Sequence, residues 1–211
     1  EEHGWQGPTS YFIGWMTYDG NTTSTIGWLE KLHTHVQVTG DLRIKDNATL
    51  TLKNVKVKFD ESDQQIIMHD NASLIIINSI IHGSIKANDN ASITLINSTV
   101  KETITLNQDS YLNASNSKLY KSLYCTIHGY NHTTGGISGY QESEIMLNEC
   151  NIGYLWLHDN STATVDNSFV YYSFPECDNL LVKNSKIQTH REIIENEELD
   201  LILPFFHNYS G

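Results

Sequence analysis

The chain's ten histidines, three cysteines and scattered carboxylates are the groups through which it could do chemistry. His33 and His35 flank Thr34, and a strand turns alternate residues to one face, so the pair could offer two nitrogens to zinc. His128 and His132 form a second such pair. Spacing ties no third or fourth ligand to either, so no metal and no cofactor is expected, and the histidines are read as surface residues. Cleaving a glycan would need clustered carboxylates, often with calcium, or a cationic base. Asp46, Asp70, Asp89, Asp109 and Asp159 are available, but they fall at turns, where Asp bonds to its own main chain. The arginines are Arg43 and Arg191 alone, which leaves Tyr, Lys and His as bases. No catalytic residue is nominated, and the chain is not expected to be an enzyme.

A repeat sets where these residues stand. Anchored on Asn54, Asn78, Asn97, Asn116, Glu149, Asn167 and Asn184, seven units follow at spacings of 24, 19, 19, 33, 18 and 17 residues. Apart from one insertion, these are coil lengths of a parallel β-helix. Ahead of the anchors lie alternating pairs: Leu42/Ile44, Ile66/Met68, Ile85/Ala87, Ile104/Leu106, Ile137/Gly139, Leu155/Leu157 and Tyr172/Phe174. A second set follows, Leu50/Leu52, Leu74/Ile76, Ile93/Leu95, Leu112/Ala114, Ile145/Leu147, Ala163/Val165 and Leu180/Val182. Beyond the anchors come Val57, Ile81, Val100, Leu119, Ile152, Val170 and Ile187. Each coil thus offers three short period-two segments, with Asp-Asn-Ala-type turns such as Asp46-Asn47-Ala48 at a tight corner. A helix is excluded by the period and by the β-branched residues.

The expected fold is all-β, a single-stranded parallel β-helix (solenoid) of about seven coils. Coils spaced ~4.8 Å apart would make a rod roughly 34 Å long, and the crossover rule favours a right-handed wind. The helix is expected over residues 42–187, with a lateral insertion at 120–138. Residues 1–41, rich in Trp5, Tyr11, Phe12, Trp15, Tyr18 and Trp28, are expected to cap the open N-terminal end; an aromatic sugar platform is the other use of such residues. In the tail, 188–211, Leu199, Leu201 and Leu203 alternate before Pro204 and Phe205. That stretch either covers the second open end or pairs with a neighbouring chain.

The irregular positions carry the functional expectations. Cys150 stands in the column of Ser79, Ser98, Ser117, Ser168 and Ser185. Cys177 lies two coils on, roughly 10 Å along the axis, too far for a bridge to Cys150. Cys125 could reach either, leaving one cysteine free or bonded to another chain; three reduced thiols are the alternative. Nine sequons, at Asn21, Asn47, Asn71, Asn90, Asn97, Asn113, Asn131, Asn160 and Asn208, make N-glycans and an extracellular site the expectation. Ile75, Ile77, Ile96, Met146 and Leu181 face outward where polar residues belong, which marks a docking surface or a strand covered by the chain's own tail.

The net charge of −12 argues against nucleic acid and anionic membrane as partners. Apolar runs are far too short for a membrane span. Glu1-Glu2-His3-Gly4 lacks the form of a signal peptide, so the chain reads as already processed.

Segments such as Asn90-Ala91-Ser92-Ile93-Thr94-Leu95-Ile96-Asn97-Ser98-Thr99-Val100 resemble the right-handed parallel β-helix repeats of secreted and cell-surface proteins of archaea, methanogens above all. The resemblance covers about residues 42–187. It implies a cell-surface, sheath-like or carbohydrate-active role, and no motif of the lyase or hydrolase members can be placed on these residues. The resulting expectation is a secreted structural protein of the cell surface or envelope that assembles as a homo-oligomer or polymer into a filament, tube, sheath or lattice. A carbohydrate-binding or polysaccharide-cleaving β-helix is the alternative.

Overall fold

A computed structural model describes residues 10–13, 16–27, 34–119, 126–127, 130–131, 135–175, 180–189, 193–196 and 201–202. The chain is a parallel β-helix whose coils each lay down three strands, one on each of three faces. The first face stacks Met16–Tyr18, Leu42–Ile44, Gln65–Met68, Ser84–Ala87, Ile104–Leu106 and Ile137–Gly139, ending in the C-terminal parts of Asn151–Leu157 and Phe169–Pro175. The second stacks Thr23–Gly27, Thr49–Lys53, Ser73–Ile77, Ser92–Ile96, Tyr111–Ser115, Glu144–Asn148, Thr162–Asp166 and Leu180–Lys183. The third runs from Ser10–Ile13 through Thr34–Val38, Val55–Phe59, Ile80–His82, Thr99–Val100 and Lys118–Leu119, ending on the N-terminal parts of the same two long strands and on Ser185–Thr189. Because Asn151–Leu157 and Phe169–Pro175 pass unbroken through the corner between them, the third and first faces form one sheet.

Period-two alternation explains the interior. Leu50, Leu74, Ile93, Leu112 and Ile145 stack in register and are fully buried, as do Leu52, Ile76, Leu95 and Ala114 one step along. Each such residue is covered above and below by its counterpart in the next coil, so one apolar column extends along the whole rod.

Two corners are tight because their residues take the left-handed backbone region. At the first, Asp46, Asp70, Asp89, Gln108, Gln141 and Asp159 have φ between 55 and 60°. At the second, Asn54, Asn78, Asn97, Asn116, Glu149, Asn167 and Asn184 have φ between 44 and 55°. Asn and Asp adopt this region at least cost after Gly, which is why they recur at these two steps. The third corner varies in length. It admits the insertion between Lys118–Leu119 and Ile137–Gly139, where Thr126–Ile127 and Tyr130–Asn131 form a short antiparallel hairpin. Where the insertion rejoins the rod, a Cβ on Gly136 would lie 2.3 Å from the carbonyl oxygen of Tyr154, so only glycine lets the two backbones meet.

The winding begins earlier than expected. Met16–Tyr18, Thr23–Gly27 and Thr34–Val38 pair in parallel with Leu42–Ile44, Thr49–Lys53 and Val55–Phe59, so much of segment 1–41 is a further coil, giving eight strands on the second face before the tail joins it. Gly20, at φ 62°, takes the corner place that Asp46 fills in the next coil. A second departure is one of register: Ser173 and Pro175, not Tyr172 and Phe174, stand opposite Leu155 and Leu157. A third concerns the tail. Ile193–Asn196 pairs antiparallel with Ser185–Thr189, and Leu201–Ile202 antiparallel with Leu180–Lys183, so of the two alternatives the described tail covers its own rod.

Candidate functional site

The second face carries the outward apolar residues. Ile77 and Ile96 are direct cross-strand neighbours, and Ile75 lies two residues before Ile77 on the same side. Ile96 is 41% exposed, while Ile75 and Ile77 are half-buried. The expected five-residue surface breaks up here. Down the column from Ile75 come Thr94, Asn113, Met146, Thr164 and Leu181, so polar residues separate each apolar one from the next. Met146, 40% exposed, accepts a hydrogen bond from the Tyr111 hydroxyl at 3.0 Å. Leu181 is half-buried and pairs with Ile202 of the tail. The continuous patch is therefore Ile75, Ile77 and Ile96. Leu201 pairs with Val182 of the same chain, in the strand that ends this sheet; Leu199, Leu203 and Phe205 lie outside the described residues.

The first face presents an aromatic cluster. Trp156, opposite Ser138 in register, is 39% exposed. Its ring is tilted on that of His158 at 4.8 Å, and Tyr140 stacks on His158 at 4.4 Å and 5° between planes. His158 is steadied by Ser161, which accepts its backbone N–H at 3.0 Å and donates its hydroxyl to its carbonyl at 2.7 Å. Beside the cluster, the Tyr154 and Thr103 hydroxyls bond at 2.8 Å. Stacked rings with one exposed face and hydroxyls nearby suit the apolar side of a sugar ring. Between the inward Leu155 and Leu157, Trp156 has one signal in the sequence, a bulky aromatic at an outward position.

Both corners carry side-chain ladders. At the first, the Nδ2 of Asn47, Asn71 and Asn90 donates to the Oδ1 of Asn21, Asn47 and Asn71 at 3.2, 3.1 and 3.3 Å. These four sequon asparagines are exposed, as are Asn97, Asn113 and Asn160. Rungs only ~4.8 Å apart mean that a bulky glycan on one crowds the next. Asn131 is described in backbone alone, and Asn208 lies outside the described residues.

At the second corner the ladder is buried. Ser79, Ser98, Ser117, Ser168 and Ser185 stack there, and Cys150 takes one rung as a free thiol. Its Sγ donates to the carbonyls of Asn148 and Ala114 at 3.2 and 3.3 Å, while its N–H donates to Ser168 Oγ at 2.9 Å. Burial pushes the Cys150 thiol above its ordinary value, so it stays protonated and acts as a serine would. A free Cys150 fits both expectations, a Cys125 to Cys177 bridge that leaves it over and three reduced thiols. Cys125 and Cys177 lie outside the described residues.

Of the candidate zinc pairs, His33, His128 and His132 lie outside the described residues; His35 is an exposed residue of the third face. Among the described residues no group of three or more His, Cys, Asp or Glu side chains could hold a metal ion, and no helix is long and apolar enough to cross a membrane. Of the corner aspartates, Asp46, Asp70, Asp89 and Asp159 each accept a backbone N–H of the preceding coil. Asp89 accepts the Asp70 N–H at 3.1 Å and pairs with His69 at 3.5 Å, and its carboxyl is held below the usual range, first by that backbone hydrogen bond and then by His69. Comparison with protein-family models, with curated proteins and with solved structures finds no match to this chain.

Proposed function

We propose that this chain is a structural rod of a cell surface or envelope, exported and N-glycosylated at its corners, that associates with copies of itself into an extended filament, sheath or lattice. The observation that carries this reading is the in-register patch of Ile75, Ile77 and Ile96, the one place on this outer face, apart from Leu181 paired with Ile202 of the tail, where apolar residues are contiguous among the described residues. Outward isoleucines on two neighbouring strands of a rod are a cost in solution unless something covers them. The repeats' resemblance to those of archaeal surface proteins supports the same reading. The antiparallel strands at the C-terminal end mean that a further copy cannot simply continue the parallel stack there, which favours contacts along the side. Electron microscopy and sedimentation of the purified chain test the proposal: ordered assemblies are expected, and Ile77→Asp with Ile96→Asp should make them thinner and smaller. A chain that stays monomeric at high concentration sinks it.

A carbohydrate-binding rod is the second reading, and the Tyr140, His158 and Trp156 cluster favours it. Affinity electrophoresis against a panel of polysaccharides, with Trp156→Ala as control, would put it ahead if retardation appears and is lost in the variant.

A further inference from the structure

The total charge conceals an ordered distribution. Along the first corner run Asp46, Asp70, Asp89, Asp109, Glu142 and Asp159, coil after coil, all exposed except the half-buried Asp89. The bases there are engaged, Lys45 with Asp19 at 3.6 Å and His69 with Asp89 at 3.5 Å.

The third face has the opposite sign. One outward row, fixed by register, reads His35, Lys56, Ile80, Thr99 and Lys118, and the next reads Gln37, Lys58 and His82. Lys101 follows Val100, the register partner of Ile81, and so continues the second row. The imidazole of His82 feels these neighbours. Burial first, then Lys101, Lys56 and Lys58, hold its pKa below the ordinary value against the weaker pull of Glu102. Its Nε2 is buried with no hydrogen-bond partner. With Lys186, which continues the first row beyond Lys118 by way of Asn151 and Phe169, five lysines share one face of a chain that has 13 basic residues against 25 acidic ones.

In a three-sided coil, the corner between the first and second faces lies across from the third. The acidic ridge and the basic face therefore point in opposite directions; the acidic groups recur in every coil from Asp46 to Asp159, and the lysines stand on the same ~4.8 Å rungs in three of the coils between Lys56 and Lys118. We propose that copies of this rod associate side by side with axes parallel, the acidic first corner of one copy seated on the lysine-bearing third face of the next. The proposal rests on the reading of the chain as a self-associating rod and assigns it a contact surface separate from the isoleucine patch. Corner against face is a heterologous contact, and opposed directions leave both surfaces free at the ends of a row, so rows grow open-ended. A single exposed ion pair is weak, so the strength comes from rungs of equal pitch engaging together. Face-to-face contact through Ile75, Ile77 and Ile96 would then join rows into a layer.

Complementary charge reversal tests this. One variant carries Lys58→Glu and Lys118→Glu; the other carries Asp109→Lys and Glu142→Lys, exposed positions outside the corner's backbone ladder. A thermal melt confirms that each is folded, and sedimentation velocity with electron microscopy reads assembly. Raising salt from about 20 mM to about 500 mM, which shortens the screening length well below 10 Å, should lower the average mass of wild-type assemblies several-fold. Each variant alone should form no rows at low salt, leaving species no larger than pairs joined through the isoleucine patch. An equimolar mixture should regain wild-type rows, because each variant supplies the surface the other has lost. Ile77→Asp should leave single rows where the wild type forms layers. Reversal variants that assemble like wild type, or assemblies insensitive to salt, overturn the charged contact while leaving self-association standing; a wild type that is monomeric at low salt overturns both.

Discussion

At the first corner each coil's left-handed residue donates its backbone N–H to a side chain of the following coil, and all of this happens in water: Asp46 to Asp70 at 3.2 Å, Asp70 to Asp89 at 3.1 Å, Asp89 to Gln108 at 2.8 Å. At the second corner the residue after the left-handed one does the same inside the wall: Val55 to Ser79 at 3.1 Å, Ser79 to Ser98 and Ser98 to Ser117 at 3.2 Å. The geometry is shared and the surroundings are not. An exposed N–H that loses its partner turns to water, whereas a buried one has nowhere to turn. The first corner can therefore vary between Asp, Gln and Gly, while the second, beyond Val55 at its N-terminal end, keeps serine at every rung but that of Cys150.

Ser98→Ala should break the comparison open most widely. Ser98 Oγ accepts the Ser79 N–H and donates to the carbonyls of Ile96 and Ile76 at 2.7 and 3.2 Å. Alanine fits the space but leaves that buried N–H unpaired, a loss of about 1–3 kcal/mol in denaturant unfolding. A loss no larger than that of an exposed substitution would mean that water enters this corner and the two ladders are equivalent.

Cys150 sharpens the same contrast with a smaller effect. A thiol is the weaker hydrogen-bonding group, so Cys150→Ser should leave stability unchanged or raise it by up to about 1 kcal/mol. In a Cys125→Ser, Cys177→Ser background, the buried and protonated Cys150 should react with a thiol reagent only as fast as the rod unfolds. Rapid labelling under native conditions would show that the second corner opens locally.

The legible parts of this fold are those with a local signature. The inward columns declared themselves because Leu50-Thr51-Leu52 and its successors alternate, and the Asn anchors because few other residues take a left-handed step cheaply. The first coil was hidden although Gly20-Asn21-Thr22 parallels Asp46-Asn47-Ala48: its second-face strand, Thr23-Ser24-Thr25-Ile26-Gly27, lacks the paired large apolar residues that mark the others. Phe169–Pro175 misled because its aromatic residues alternate acceptably in either register, and a one-residue slip reverses every assignment. The tail showed strand character but not its partner, since an open edge accepts its own chain as readily as another. Lys58, His82 and Lys101 were simply outward residues until closure of the coil set them together and opposite the aspartates. None of that opposition is local.

The smallest expected effect belongs to the exposed corner. The Asp89 carboxyl is held below its ordinary value, chiefly by the Asp70 N–H and then by His69. A group whose folded pKa is depressed adds stability that is fully present above its unfolded value, near 4, and is lost as pH falls through the folded one. Melting temperature should therefore fall on acidification below about pH 4. In Asp89→Asn that part of the fall should disappear, because the amide oxygen still accepts the Asp70 N–H but no longer titrates. Near neutral pH the substitution should cost little, within about 0.5 kcal/mol, as at other surface positions. If it instead destabilised the rod as much as Ser98→Ala, the carboxylate ladder would be holding the coils together from outside, and burial would not be what separates the two corners.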